Sequence, residues 1–424
     1  MLKSDMFTNI QLMWFSKFKA IARPLCATRR LAVFMALMSV LLLIPMGYLM
    51  ATPVAHSAAT SKKVSPGEAA PDSPSPDFNT PPAQKGVALG LFRQEPDWNY
   101  NDFLVEINAL GASHVAVVVS NYMKTNEHNE IYDLEGYTTP MPTVEKTIRQ
   151  VQKKGMKVFL FPILRVEDKS NGGWRGTLAP SNVDEFFSNY TTYILRYAAV
   201  AEKLKVPLMS IGSELGTMDV HTDRWRAIIK AVRKVYHGEI TYSANWDHYD
   251  KVEFFDDLDY LGVTGYFQLA ERKEPFDTNP PIETLVHSWR EIYFQLMRWQ
   301  YKWHKPLLFT EVGYLSQKGA AAQPWAEGAN EKVDLEIQRR CYEAFIRVWD
   351  NEDRVAGVYF WNWFDWEGEN NREYTPREKP AADEMKKWFT HAKVTSSLPT
   401  ASSAIATQVP AGRSHQNSVT LGAK

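Results

Sequence analysis

Residues 206–216 read VPLMSIGSELG, and residues 305–314 read KPLLFTEVGY. Each is a short apolar run that ends at a glutamate, Glu214 in the first and Glu311 in the second. A run of this length without polar alternation is that of a strand covered on both faces, as in parallel sheets. Working outward, six more runs have the same character: 86–91 (GVALGL), 113–119 (SHVAVVV), 156–162 (MKVFLFP), 239–244, 258–264 and 355–360. Amphipathic helical stretches separate them at about 100–110, 142–154, 182–203, 222–236, 281–303 and 330–350, with a last one near 378–389. Between the fifth and sixth runs the chain is short, and whether it holds a helix is left open. Eight strands alternating strictly with helices predict an α/β fold, a single (β/α)8 TIM barrel over residues 85–392.

In such barrels the active site forms at the C-terminal ends of the strands, so the residues after each run carry the functional reading. Glu214 follows the fourth and Glu311 the seventh, 97 residues apart, which is three βα units. Around them come Asn245, Trp246, Asp247 and His248 after the fifth run, Tyr266 after the sixth, and Trp361, Trp363, Asp365 and Glu367 after the eighth. Arg165, Glu167, Asp168, Trp174 and Arg175 follow the third. An acidic and aromatic rim suits sugars, because a pyranose face stacks on a flat ring and hydroxyls bond to carboxylates; the chain has 14 Trp. Two carboxylates facing each other suit glycoside hydrolysis, with a spacing of about 5–5.5 Å in retaining enzymes. Either Glu alone is equally explained by capping a helix or pairing an arginine. Asp247, His248 and Asp250 do not have the spacing of a recognised metal loop, and Asp365 and Glu367 read as a solvated rim. No metal or other cofactor is implied.

PLLFTEVGY around Glu311, SIGSELG around Glu214, YSANWD around Trp246, YLGVTGYF around Tyr266 and GVYFWNW around Trp361 resemble glycoside hydrolase family 113, within clan A of the glycoside hydrolases. The resemblance implies an endo-β-1,4-mannanase with Glu214 as acid/base and Glu311 as nucleophile. It also implies a hydrogen bond from Tyr266 to the nucleophile and an aromatic floor at Trp361. Substrate contacts are further expected from Asn245, Trp246, Trp174, Arg175 and Trp363. Most clan members carry Asn before the acid/base, where this chain has Ser213. No cation lies near Glu214 in the local sequence, so desolvation is expected to raise its pKa while Tyr266 keeps Glu311 ionised. The competing reading is a catalytically silent barrel that binds polysaccharide in an envelope assembly.

The flanks differ from this body. Residues 1–30 are basic, with Lys3, Lys17, Lys19, Arg23, Arg29 and Arg30 against Asp5. Residues 31–51 carry no charge, which is long enough to span a bilayer core of about 30 Å with the N-terminus inside. Residues 1–51 are thus expected to be a signal anchor, or a signal peptide cleaved near Ala55-His56-Ser57, placing the rest outside the cytoplasm. Residues 52–84 read as a Pro/Ser-rich linker and 393–424 as a disordered tail. Cys26 and Cys341 are the two cysteines, and their placement argues against a disulfide. A net charge of −1 gives no electrostatic case for nucleic acid, and no strand is followed by a glycine-rich phosphate loop. Partners are therefore a polysaccharide and, if the anchor stays, the membrane.

Overall fold

The computed structural model describes residues 84–391, apart from 94, 96, 171, 273–278, 328–331, 351 and 365–367. The expected anchor, the linker up to residue 83, the tail 393–424, Cys26, Asp365 and Glu367 lie outside the described residues. Gln84, the last residue assigned to the linker, is instead the first residue of a strand.

Eight parallel strands close into a barrel in chain order. They are β1 (Gln84–Gly90), β2 (His114–Met123), β3 (Lys157–Val166), β4 (Leu208–Ser213), β5 (Glu239–Ala244), β6 (Leu261–Thr264), β7 (Leu307–Val312) and β8 (Val355–Trp363). Seven α-helices pack outside: α1 (Asn101–Ala109), α2 (Met141–Lys153), α3 (Val183–Lys203), α4 (Thr222–Arg233), α5 (Ile282–Trp303), α6 (Leu335–Trp349) and α7 (Pro380–Thr390). Between β5 and β6 the helix is replaced by two single 3-10 turns, Tyr249–Lys251 and Phe255–Asp257. Among the described residues no helix is long and apolar enough to cross a membrane.

Alternation along the strands sorts side chains into two cores. On β2, Val115, Val117 and Val119 face the helices, while Ala116 and Val118 face the lumen. On β3, Val158 and Leu160 face out, and Phe159 and Phe161 face in. Both faces are covered, so the runs are apolar throughout. In the lumen, Ala88, Ala116 and Ala356 leave room for Phe159, Phe161 and Tyr359. The Phe159 ring centroid lies 4.9 Å from each of the other two, so the barrel is a packed core rather than a pore. Gly262 lets β6 approach β5, since a Cβ there would come 2.3 Å from the Tyr242 carbonyl oxygen. Side-chain caps start two of the helices. Asn182 accepts from the amides of Asp184 and Glu185 at the start of α3, and Asp334 accepts from Ile337 at the start of α6. Cys341 is buried on α6.

Candidate active site

A cleft of about 1090 Å³ opens at the C-terminal ends of the strands, and Glu214 and Glu311 both line it. Their approach depends on two local departures from regular strand geometry. On β7, Leu307 and Phe309 face the helices and Leu308 faces the lumen. Strict alternation would carry Glu311 to the helix side with Phe309. The register of β7 on β8 shifts between Phe309 and Val312, and the shift re-aims Glu311 into the mouth. On β4 the register against β5 shifts between Ser210 and Ser213, and Glu214 follows with φ +53°. That left-handed conformation is strained for a residue with a Cβ. It is pinned from both sides: the Glu214 amide donates to the Ser243 carbonyl (2.8 Å) and the Leu215 amide donates to Tyr242 Oη (2.9 Å). Tyr242 Oη in turn donates to the buried Asp219.

Both carboxyl groups are almost fully removed from solvent, with Glu214 at 5% exposure and Glu311 at 1%. Tyr266 Oη donates to Glu311 Oε2 at 2.6 Å, and Ser213 Oγ reaches Oε1 at 3.5 Å, the limit of a hydrogen bond. The expected Tyr266 contact is therefore present, and Ser213 faces Glu311. Glu214 departs from expectation. Its Oε2 lies 2.6 Å from Arg175 Nη2, so it has a cation partner that the local sequence does not reveal. Arg175 comes from the 3-10 turn Arg175–Thr177 in the loop after β3. Burial opposes the charge on Arg175, but Glu214 and Glu311 outweigh it and keep its pKa raised. At Glu311, burial and the nearby Glu214 carboxylate push the pKa up to about 8, against the lowering pull of Arg175 and Tyr266. Burial thus acts on Glu311, where the sequence reading expected it to act on Glu214. Arg175 pairs with Glu214, and burial favours the proton on Glu311. Burial above all raises the pKa of the Tyr266 hydroxyl, which stays protonated and donates.

The rest of the expected set divides. Asn245, Trp246, Trp174 and Trp361 line the cleft with the two Glu. Trp174 is 39% exposed, as a stacking platform requires. Trp246 stacks on Trp325, with ring centroids 4.9 Å apart and planes at 20°. Asn245 is tied internally, donating to Asp247 Oδ1 at 2.8 Å. Trp363 is not brought to the cleft. It is buried, and its indole N–H donates to Glu106 at 2.8 Å, because the register of β8 on β1 shifts between Val87 and Leu89 and turns it off the face that Trp361 occupies. Asp247 pairs with His248 and Asp250 with Lys251, so they do not converge on one point. Trp325, Tyr374 and Glu327 also line the cleft and escaped the sequence reading. They lie in long loops after β7 and β8, away from any strand tip. Only Trp325, a tryptophan outside any periodic segment, carried a signal.

Comparison with known proteins bears on this geometry. The sequence model of Glycoside Hydrolase Family 113 matches residues 91–390. A family 113 β-1,4-mannanase, solved as a complex, aligns with TM-score 0.64 and 22% identity, covering 73% of this chain and 99% of that one. A family 113 β-mannanase from Alicyclobacillus acidocaldarius, in complex with ManMIm, aligns with TM-score 0.64 and 23% identity, covering 74% and 98% respectively. At these identities the likeness is one of fold. No curated protein matches the sequence.

Proposed function

The chain belongs to glycoside hydrolase family 113, and from that membership we propose that it cleaves a β-linked hexose polymer, foremost β-1,4-mannan, with retention of configuration. The observation that carries the reading is the buried pair Glu214 and Glu311 on one cleft, with Tyr266 donating to Glu311. Glu311 is the nucleophile: its Oε2 is already held by a neutral donor that strengthens as negative charge develops. Glu214 is the acid/base. For turnover Glu311 must be ionised against its raised pKa, and Arg175 has to leave Glu214 when the glycosidic oxygen takes that place. Arg175 feels both carboxylates. A small move toward Glu311 lowers the pKa of Glu311 and frees Glu214 for the glycosidic oxygen. After the glycosyl-enzyme forms, Glu311 carries no charge, and Glu214 can release its proton and activate water. Trp174, Trp361 and the Trp246–Trp325 stack are the platforms for the sugars.

The test is product analysis on mannan, glucomannan, cellulose and xylan, with two variants. Glu311→Ala is expected to abolish turnover on every substrate, a loss beyond the roughly 10²–10⁴-fold of general acid–base catalysis alone. Glu214→Ala is expected to keep activity on aryl glycosides with good leaving groups and to yield a β-glycosyl azide when azide is added. Azide rescue of Glu311→Ala to an inverted product, without rescue of Glu214→Ala, would reverse the roles. Loss below about tenfold in both variants, about 1.4 kcal/mol, would remove the pair from the mechanism and leave a silent polysaccharide-binding barrel.

Export is the second part of the proposal. The uncharged stretch 31–51 after a basic N-region is read as an anchor or signal that leaves the barrel outside the cytoplasm. Protease treatment of intact cells should digest an external, anchored barrel. A barrel protected until lysis would contradict this placement.

A further inference from the structure

Strand β3 delivers a second arginine to the cleft, one that the reaction above does not use. Arg165 lines the same wall as Arg175 and is half-buried. Its guanidinium carbon lies 4.4 Å from the Phe92 ring centroid. Phe92 in turn packs 6.4 Å from Trp361, which sets the guanidinium one ring away from the aromatic at the tip of β8. Among the described residues Arg165 makes no hydrogen bond and no ion pair. Other partly buried arginines are matched: Arg354 with Glu352, Arg377 with Glu106, and Arg175 with Glu214.

Withdrawing a guanidinium from water without a counter-charge is costly, so a purely structural arginine is normally paired. Stacking on Phe92 holds the group in one orientation while its donors stay open to the cleft. A fixed planar fork of N–H donors matches the two oxygens of a carboxylate. The surroundings point the same way. Of the cleft carboxylates, Glu214, Glu167 and Asp247 are engaged by Arg175, Lys124 and His248 and Glu311 by Tyr266, while Glu327 lies in the field of Arg165 without a bond to it. Lys169 and Arg272 also line the cleft, with Arg272 over the Trp325 ring, and neither forms an ion pair among the described residues.

We propose that the cleft takes a β-linked polymer bearing carboxylate groups, with Arg165 binding one of them beside the sugar seated at Trp361. The inference rests on reading this cleft as a glycosidase active site and narrows its substrate to an acidic glycan. The carboxylate can belong to a uronate ring or to an acidic ester substituent, which share the same recognition chemistry.

The experiment measures binding by calorimetry, using the full chain with Glu311→Gln to block turnover. Three β-1,4-linked tetrasaccharides are compared: neutral mannotetraose, the same chain with one hexose oxidised to its uronate, and the same chain with one succinyl ester. At least one acidic ligand is expected to bind about tenfold or more tightly than the neutral one, the scale of a charge-assisted bidentate contact, and whichever does identifies the carboxylate source. Adding Arg165→Gln is expected to erase that preference, with the thermal unfolding of the variant reporting intact folding. Arg165→Lys, which keeps the charge but not the fork, is expected to retain part of the preference and serves if the Gln variant does not fold. Equal binding of all three ligands, or no binding of any, overturns the inference. So does a preference that survives Arg165→Gln, which would assign it to Lys169 and Arg272. Turnover of neutral mannan by the unaltered chain is scored separately: its failure sinks neutral mannan as substrate while the binding result still decides the role of Arg165.

Discussion

Below the mouth, the lumen is filled by Ala88, Val118, Phe159, Phe161 and Tyr359, fully buried and in contact with one another. At the mouth, Ser213, Glu214 and Glu311 are buried to nearly the same degree, but the contents are polar and under tension. The Glu214 carboxylate helps raise the pKa of Glu311, Glu214 has a positive φ, the Arg175 Nε is buried without a partner, and Arg165 makes no ion pair among the described residues. The strands are the same in both layers. What changes is the free energy spent: the lumen gains from burial and close packing, whereas the mouth accepts desolvation and strain to hold reactive groups in place. The packed lumen makes a strained mouth affordable.

Truncation in the lumen should have the largest effect. Phe159→Ala removes a ring that touches Phe161 and Tyr359, and is expected to cost about 3–5 kcal/mol of stability, read from the midpoint of equilibrium unfolding. A cost below about 1 kcal/mol would mean that the lumen repacks freely and does not set the barrel's stability.

Next comes the contact between Tyr266 and Glu311. Tyr266→Phe removes a hydrogen bond to a charged group, worth about 1.5–3 kcal/mol, so kcat/KM should fall by roughly 10–100-fold. Tyr266 lowers the Glu311 pKa, so the acid limb of the pH profile should also move to higher pH. A fall in rate with no shift of that limb would make Tyr266 a packing group.

The smallest effect is a gain. Because burial raises the folded-state pKa of Glu311 to about 8, well above the ordinary carboxyl value of 4.5, the folded chain binds the proton more tightly than the unfolded one. Stability from this group is therefore fully present below about pH 4.5 and is lost as pH rises through 8. Glu311→Gln removes that loss. Its Tm should match the parent at low pH and exceed it at pH 8, with the gap opening as pH rises above about 4.5. A lower Tm at pH 8 would show that the mouth carries no such cost.

Much of the barrel was legible because its strands are short, apolar and evenly spaced, and none of that needs knowledge of a distant partner. The region between β5 and β6 was legible only as too short for a confident helix, and it holds two 3-10 turns. Glu214 and Glu311 could be picked out because they end strands in a fold whose strand ends face one mouth. The roles of their neighbours could not. Arg175 meets Glu214 across 39 residues of chain, and Arg165 is noticeable only once its lack of an ion pair is seen beside the paired Arg175.

Periodicity is a local property, so the sequence by itself determined the eight strands, the closed parallel sheet and the two glutamates as its most reactive tips. Direction and charge are not local. The register shift that turns Glu311 inward depends on how β7 lies on β8, and a two-residue period read along the strand would have sent it outward with Phe309. Trp363 turned the other way for the same reason, into a bond with Glu106. Where the proton sits depends on the depth of burial and on Arg175 reaching in from another loop. Electrostatic energies depend on distance and dielectric, and both come into being only when the chain has closed.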